Sequence, residues 1–319
     1  MAELRRIGRS ELETPPLILG GNVFGWTIDA ADGFAVLDAF VAGGGRMIDT
    51  ADVYMAGVAG NVGGESETII GQWLNRRGRR DDVLITTKVG LLEIDGGKGL
   101  SRAHVEAGID ASLRRLGTDY VDLYLAHRDD PATDQDAVAE TFGALVTAGK
   151  VRVIGASNFD ADRLGSAIAA QERTGAARYQ ALQNQYNLLE RQDYEGAMQD
   201  FCAAHGIGMT PYFGLAAGYL TGKYRTAADL QGPRGHGAKA YLEGNGPRVL
   251  AALDATAEET GATPAQIALA WIAAQPGITA PIASATSVKQ VEELLGAMDL
   301  KLSADQLRRL DEASRVAAA

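Results

Sequence analysis

The chain has 319 residues, 46% hydrophobic and 22% charged, with 41 acidic against 30 basic side chains and a formal net charge of −11. That is the composition of a globular protein long enough to bury one large core or two ordinary ones, and it excludes a disordered chain. The acidic balance, with a pI near 4.9, repels nucleic acid and anionic membrane, so neither is expected as a partner.

The N-terminal stretch MAELRRIGRSELE is charged and lacks the apolar core of a signal peptide. No apolar run of about 18 residues follows it, so a cytoplasmic protein is expected. From there, short aliphatic or β-branched runs alternate with longer stretches of helical period. Strands are predicted at 17–19 (LIL), 46–49 (RMID), 83–87 (VLITT), 121–125 (VDLYL), 151–154 (VRVI), 179–183 (YQALQ), 207–210 (IGMT) and 278–282 (ITAPI). Helices are predicted between them at 31–42, 65–76, 102–115, 135–148, 161–173 and 264–274. Ser101 stands where an N-cap belongs, Gly117 where a helix stop belongs, and Thr263-Pro264 pairs a cap with proline at the first helical position. Cys202, the single cysteine, sits in the helix-like run 194–204. It cannot pair within the chain and reads as a small buried hydrophobe in a reducing compartment. The alternation breaks at 212–245, a glycine-rich, poorly periodic stretch of the length usual for a functional loop. The last run, 303–316, reads as an extra helix capped by Ser303.

Eight strand–helix alternations predict an α/β fold, a parallel eight-stranded (β/α)8 or TIM barrel. It carries an extra C-terminal helix and a long loop after strand seven, as a single domain over residues 1–319. A doubly wound sheet is the rival. It needs a G-x-G-x-x-G turn opening a helix to hold a dinucleotide. The nearest candidates, Gly43-Gly44-Gly45 and Gly63-Gly64, stand before a strand and inside a loop.

Four polar side chains fall at or just beyond successive strand ends: Asp49, Tyr54, Lys88 in ITTKVG and His127 in LYLAHRDD. Singly, each has an ordinary explanation. A strand-end aspartate usually forms a turn, a loop tyrosine packs its ring, a lysine is solvated, and a histidine is structural. A barrel, however, brings its strand ends to one face, where active sites sit. Lys88 and His127 interrupt apolar strands just where those open onto that face. His104, His205 and His236 lack this context and read as structural or surface residues. The four suit carbonyl reduction, which needs a proton for the oxygen as hydride reaches carbon. A phenol with a pKa near ~10 is a poor acid, and a neighbouring ammonium is expected to lower it. Asp49 would hold Lys88, and His127 would direct a hydrogen bond to the carbonyl oxygen.

These segments resemble the aldo-keto reductase family from residue 4 to residue 313. IDTADVY, TTKVG and YLAHRDD match the family's Asp, Tyr, Lys and His at Asp49, Tyr54, Lys88 and His127. KVRVIGASNF resembles the fifth-strand signature, in which Ser157 and Asn158 would bind the nicotinamide carboxamide. Gln183 in ALQNQYNLLE would do the same from strand six, and Tyr212 would stack beneath the ring. GLAAGYLTGKY is similar to the loop that wraps the pyrophosphate, with Leu215, Gly218 and Lys223 as contacts. GNVFGW resembles the first-strand loop, so that Trp26, Tyr54 and His127 would line the substrate pocket. By the same resemblance, Ser284, Thr286, Gln290 and Glu293 would occupy the adenosine end. The resemblance implies hydride transfer from a nicotinamide to an aldehyde or ketone, sugars included, or the reverse oxidation, with no metal.

The sequence departs from the family pattern at that adenosine end. Thr286 stands where an arginine often grips the 2′-phosphate of NADPH, and Leu294 where an asparagine meets the adenine. A hydroxyl does not replace a bidentate guanidinium. The family pattern implies NADPH, and these two positions bring NADH level with it. Phe213-Gly214 also replaces the common serine-proline. Two rival functions are a nicotinamide-binding sensor or regulatory subunit with little turnover, and a metal-dependent barrel enzyme using Asp49, His127 and Asp129. The second needs more clustered ligands than the strand ends supply. The physiological substrate, the direction of reaction and the oligomeric state are left open by the sequence.

Overall fold

The structure is a computed structural model that describes residues 2–94, 97–232 and 235–315. Eight parallel strands form one sheet: β1 (Ile18–Gly20), β2 (Met47–Asp49), β3 (Leu84–Val89), β4 (Val121–Ala126), β5 (Val151–Ser157), β6 (Ala181–Gln183), β7 (Gly208–Met209) and β8 (Ile282–Ala283). They pair in chain order, and β8 pairs back onto β1. The ring closes between β7 and the approach to β8. Met209 bridges Ile278 in parallel, Thr279 N–H donates to Met209 O at 2.7 Å, and Ile282 N–H to Pro211 O at 2.8 Å. This is the expected (β/α)8 barrel.

Each predicted strand is present, shifted by a residue or a few. The predicted helices are found as α1 (Ala30–Ala42), α2 (Glu65–Arg77), α3 (Arg102–Leu116), α4 (Gln135–Thr147), α5 (Ala161–Thr174) and α6 (Ala197–His205). The C-terminal part holds α7 (Gly246–Thr260), α8 (Pro264–Ala274), α9 (Val288–Leu295) and α10 (Ala304–Ser314). Thr263 and Ser303 form capping boxes with Gln266 and Gln306. Ser101 occupies the N-cap of α3 but makes no side-chain capping bond, while Gly117 ends that helix at φ 64°. The segment 212–245 is not a plain loop: short helical turns at Ala216–Thr221, Ala227–Asp229, Gly235–Ala238 and Lys239–Leu242 fold it against the barrel. Its residues 233 and 234, and Val316 at the end of the predicted last helix, lie outside the described residues.

Strand period explains where the core sits and where the site begins. Successive residues point to opposite faces of a strand. Ile18, Met47, Leu84, Leu123, Leu125, Val153, Ala181 and Ile282 fill the barrel interior, while Leu19, Ile48, Ile85, Tyr124, Ile154 and Leu182 pack outward under the helices. An antiparallel hairpin, Arg5–Arg6 with Glu13–Thr14, puts the buried Ile7 and Leu12 into the same interior cluster. The barrel is therefore plugged at its N-terminal end and open at the other.

Candidate functional site

Two residues beyond the last inward apolar side chain of a strand, the next inward position emerges at the open end. Met47 is followed by Asp49, Leu125 by His127, Ala181 by Gln183 and Ile282 by Ser284. Leu84 and Thr86 lead to Lys88, and Val153 and Gly155 to Ser157. Register aligns them, with Asp49 beside Gly20 on β1 and Ser157 beside Gln183 on β6. A cleft of about 1130 Å³ opens above this layer. Of the site residues predicted from sequence, all but Lys88 line it. Lys88 is covered by its partners Asp49 and Tyr54 and is 1% exposed.

Asp49 is the hub. Its Oδ2 accepts from Lys88 Nζ at 2.8 Å and from the Tyr54 hydroxyl at 3.2 Å, and its Oδ1 accepts from Gln183 Nε2 at 2.8 Å. Lys88 Nζ also donates to Tyr54 Oη at 2.8 Å and to Thr50 O at 2.7 Å, so all three ammonium hydrogens are used. A buried ion pair is worth its desolvation only when its remaining hydrogen-bonding capacity is met, which is so here. Burial lowers the Lys88 pKa, against the pull of Asp49. Burial, then the Asp49 charge, raises that of Tyr54 well above the ordinary value. The expected lowering of the phenol by Lys88 is therefore not the net direction, because desolvation and the carboxylate outweigh the ammonium. His127 packs edge-on to Tyr54 with ring centroids 6.1 Å apart. Burial first, then Lys88 and Arg128, push its pKa down to about 2, so the imidazole is neutral at physiological pH.

Asn158 holds the opposite wall. It adopts φ 57°, a left-handed conformation that asparagine tolerates better than most residues. Its amide nitrogen donates to His127 O at 2.9 Å and Ser157 Oγ at 3.0 Å, and its Oδ1 accepts from Tyr212 Oη at 2.8 Å. Asn184, which sequence reasoning missed, fixes this loop by accepting from Asn158 N at 2.7 Å and donating to Phe159 O at 2.8 Å. Further along, Leu215 and Gly218 line the cleft beside Lys223, whose amine lies 4.8 Å above the Tyr224 ring. At the far end, Thr286 donates through N–H at 2.8 Å and hydroxyl at 3.1 Å to Gln290 Oε1, and Ser284 Oγ lies 2.6 Å from Asn22 Oδ1. Glu293 and Leu294 also line this end. Arg128 and Phe213 are exposed lining residues given no role from the sequence.

The residues also match a known family model, that of the Aldo/keto reductase family, over residues 16–315. The chain belongs to the aldo/keto reductase family. Among its relatives, a protein named probable voltage-gated potassium channel subunit beta from Arabidopsis thaliana is 32% identical, covering 93% of this chain and 92% of that protein. Protein tas of Escherichia coli is 30% identical over 98% of both chains. An uncharacterized oxidoreductase, YrpG of Bacillus subtilis, is 32% identical over 97% of this chain and 95% of its own. Oxidoreduction is the general activity that this membership supports. Among the described residues, no group of three or more His, Cys, Asp or Glu is placed to hold a metal ion. Asp129, weighed above as a metal ligand, is held instead by Arg163 at 2.7 and 2.9 Å. No described helix is long and apolar enough to cross a membrane.

Proposed function

We propose that this protein is an NAD(P)H-dependent reductase of aldehydes or ketones, with Tyr54 as proton donor. The observation that carries the reading is the hydrogen-bonded cluster of Tyr54, Lys88 and Asp49 at the floor of a cleft large enough for an extended dinucleotide and a small substrate together. The lining fits a nicotinamide nucleotide. Amide and hydroxyl groups of Ser157, Asn158 and Gln183 gather beside the Tyr212 ring, and Gly20 leaves room where a Cβ would come within 2.5 Å of Ser284 Oγ. When bound, the nicotinamide supplies a hydride to the carbonyl carbon.

The protein's own task is the proton. Tyr54 is protonated at neutral pH, and its single hydrogen points to Asp49. To serve a substrate the phenol redirects that hydrogen to the carbonyl oxygen. The phenolate left behind keeps its bond from the Lys88 ammonium, and Asp49 keeps that ammonium charged and in place. Neutral His127 offers a ring nitrogen to the same oxygen without competing as an acid. Positioned proton transfer of this kind contributes about 100- to 10,000-fold. Tyr54→Phe should lower kcat on 4-nitrobenzaldehyde by that order while leaving nucleotide affinity, read by fluorescence titration, within a few-fold of wild type. An active Tyr54→Phe enzyme rejects the mechanism.

A second reading has a specific observation behind it. The relative from Arabidopsis thaliana carries the name of a channel subunit, so a nicotinamide-binding regulatory role with little turnover is the alternative. Tight nucleotide binding without turnover of any aldehyde or ketone would favour it.

A further inference from the structure

Arg128 follows His127 at the open end of β4, is exposed, and lines the cleft with Trp26, Tyr212 and Phe213. The two acids next to it in sequence do not neutralise it. Asp129 is clasped by Arg163 through both oxygens. Asp130 accepts from Leu100 N at 2.8 Å, Ala132 N at 3.0 Å and the Thr133 hydroxyl at 2.6 Å. Among the described residues Arg128 has no hydrogen bond, ion pair or stacked ring, in a chain with 41 acidic side chains against 30 basic ones. Asp193, an exposed acid whose charge also reaches Tyr212, makes no ion pair with it, and the charged groups at the cleft floor are committed. Asp49 is saturated by Lys88, Tyr54 and Gln183, Lys88 is buried, and His127 is uncharged. A guanidinium presents five donors in a planar fork that matches a carboxylate or phosphate. Here that fork stands beside the imidazole proposed to meet the carbonyl oxygen.

We infer that Arg128 is an anion subsite at the substrate end of the cleft, and that the preferred carbonyl substrate carries a carboxylate or phosphate a few atoms from the reacting carbon. The inference rests on the carbonyl-reductase reading and names its substrate class. The matched pairs 4-formylbenzoate against 4-formylbenzamide, and glycolaldehyde phosphate against glycolaldehyde, differ mainly in the anion and separate the two anion types. For wild type the anionic member of at least one pair should have the higher kcat/KM, by roughly 10- to 100-fold, as a charged hydrogen bond implies. The gain should fall mainly in KM. In Arg128→Gln the ratio should collapse toward one, and Arg128→Lys should keep part of it. A wild-type ratio near one in both pairs, or a ratio unchanged in Arg128→Gln, overturns the inference. Should no carbonyl compound turn over at all, the carbonyl-reductase reading fails separately. The subsite is then judged by quenching of protein fluorescence with benzoate against benzamide in the presence of NADH. Binding of benzoate that Arg128→Gln abolishes sustains it, and equal binding of the two ligands overturns it.

Discussion

Asp52, three residues beyond the hub carboxylate, is fully buried and neither of its oxygens finds a hydrogen-bond donor, although the Val53 amide leans toward it. It lies on the outer side of the Lys88 layer with Glu67 of α2, which accepts from Thr87 Oγ1 at 2.5 Å and from Arg115 Nε at 2.6 Å. Burial, then the Glu67 charge, raise the Asp52 pKa from 3.8 to about 7, against the weaker pulls of Arg115 and Lys88. A carboxyl whose folded pKa is raised favours the folded state while protonated. Its contribution is full below the unfolded value and is lost as pH climbs through the folded one. Asp52→Asn removes that ionisation and keeps a side-chain oxygen toward the Val53 amide. Relative to wild type, the variant should gain about 1.4 kcal/mol of unfolding free energy per pH unit between roughly pH 4 and pH 7, then level off. Urea titrations at several pH values read this directly. Parallel stability curves for the two proteins would show that Asp52 is not held protonated by the fold.

Among the elements, the N-terminal hairpin matters because it decides which end of the barrel is open. Its turn runs through Gly8 at φ +57°, where a Cβ would lie 2.2 Å from Gln180 O and 2.9 Å from Gly206 O. Gly149, at the end of α4, has φ +73° with nothing within 4 Å of the same position. Left-handed backbone costs a non-glycine residue roughly 1–2 kcal/mol. Gly149→Ala should cost about that much, and Gly8→Ala clearly more, because the hairpin must shift off the β6 end and loosen the seating of Ile7 and Leu12. Equal costs by urea unfolding would mean that the hairpin is not a seated plug. This hairpin was not foreseen, since its strands are two residues each inside a charged segment. The barrel strands were legible for the opposite reason. Buried on both faces, they read as short apolar runs, and a lysine ending LITTK or a histidine following VDLYLA stands out against them. Helices α7 and α9 were missed beside a glycine-rich stretch and a run of serine and threonine. The pairings that isolate Arg128 and bury Asp52 depend on Arg163, Glu67 and Arg115. These partners sit on other helices, and no local pattern announces them.

At the scale of the molecule, one cleft joins the cluster proposed to donate the proton to the end proposed for adenosine, built from the last two βα units. Among the described residues lining it, the cations are Arg128 beside His127 and Lys223 on the loop after β7, whereas the proposed adenosine end presents Ser284, Thr286, Gln290, Glu293 and Leu294. Thr286 spends its amide and hydroxyl on Gln290, and among the described residues lining that end there is no guanidinium or ammonium for a 2′-phosphate. The net charge of −11 adds a general repulsion toward the more anionic nucleotide. A ligand that binds only the folded state stabilises it by RT ln(1 + [L]/Kd), about 2.7 kcal/mol at a hundred times Kd. For a chain of this size that moves Tm by a few degrees. Equal concentrations of NADH and NADPH should therefore give upward shifts of similar size, with NADH at least matching NADPH, and EDTA should change neither. A hundredfold tighter Kd for NADPH would appear as a separation of about 2.7 kcal/mol in its favour. It would mean that a cation reaches the ribose from beyond the proposed adenosine end, either Lys223 from the loop after β7 or the exposed Lys289 next to Gln290.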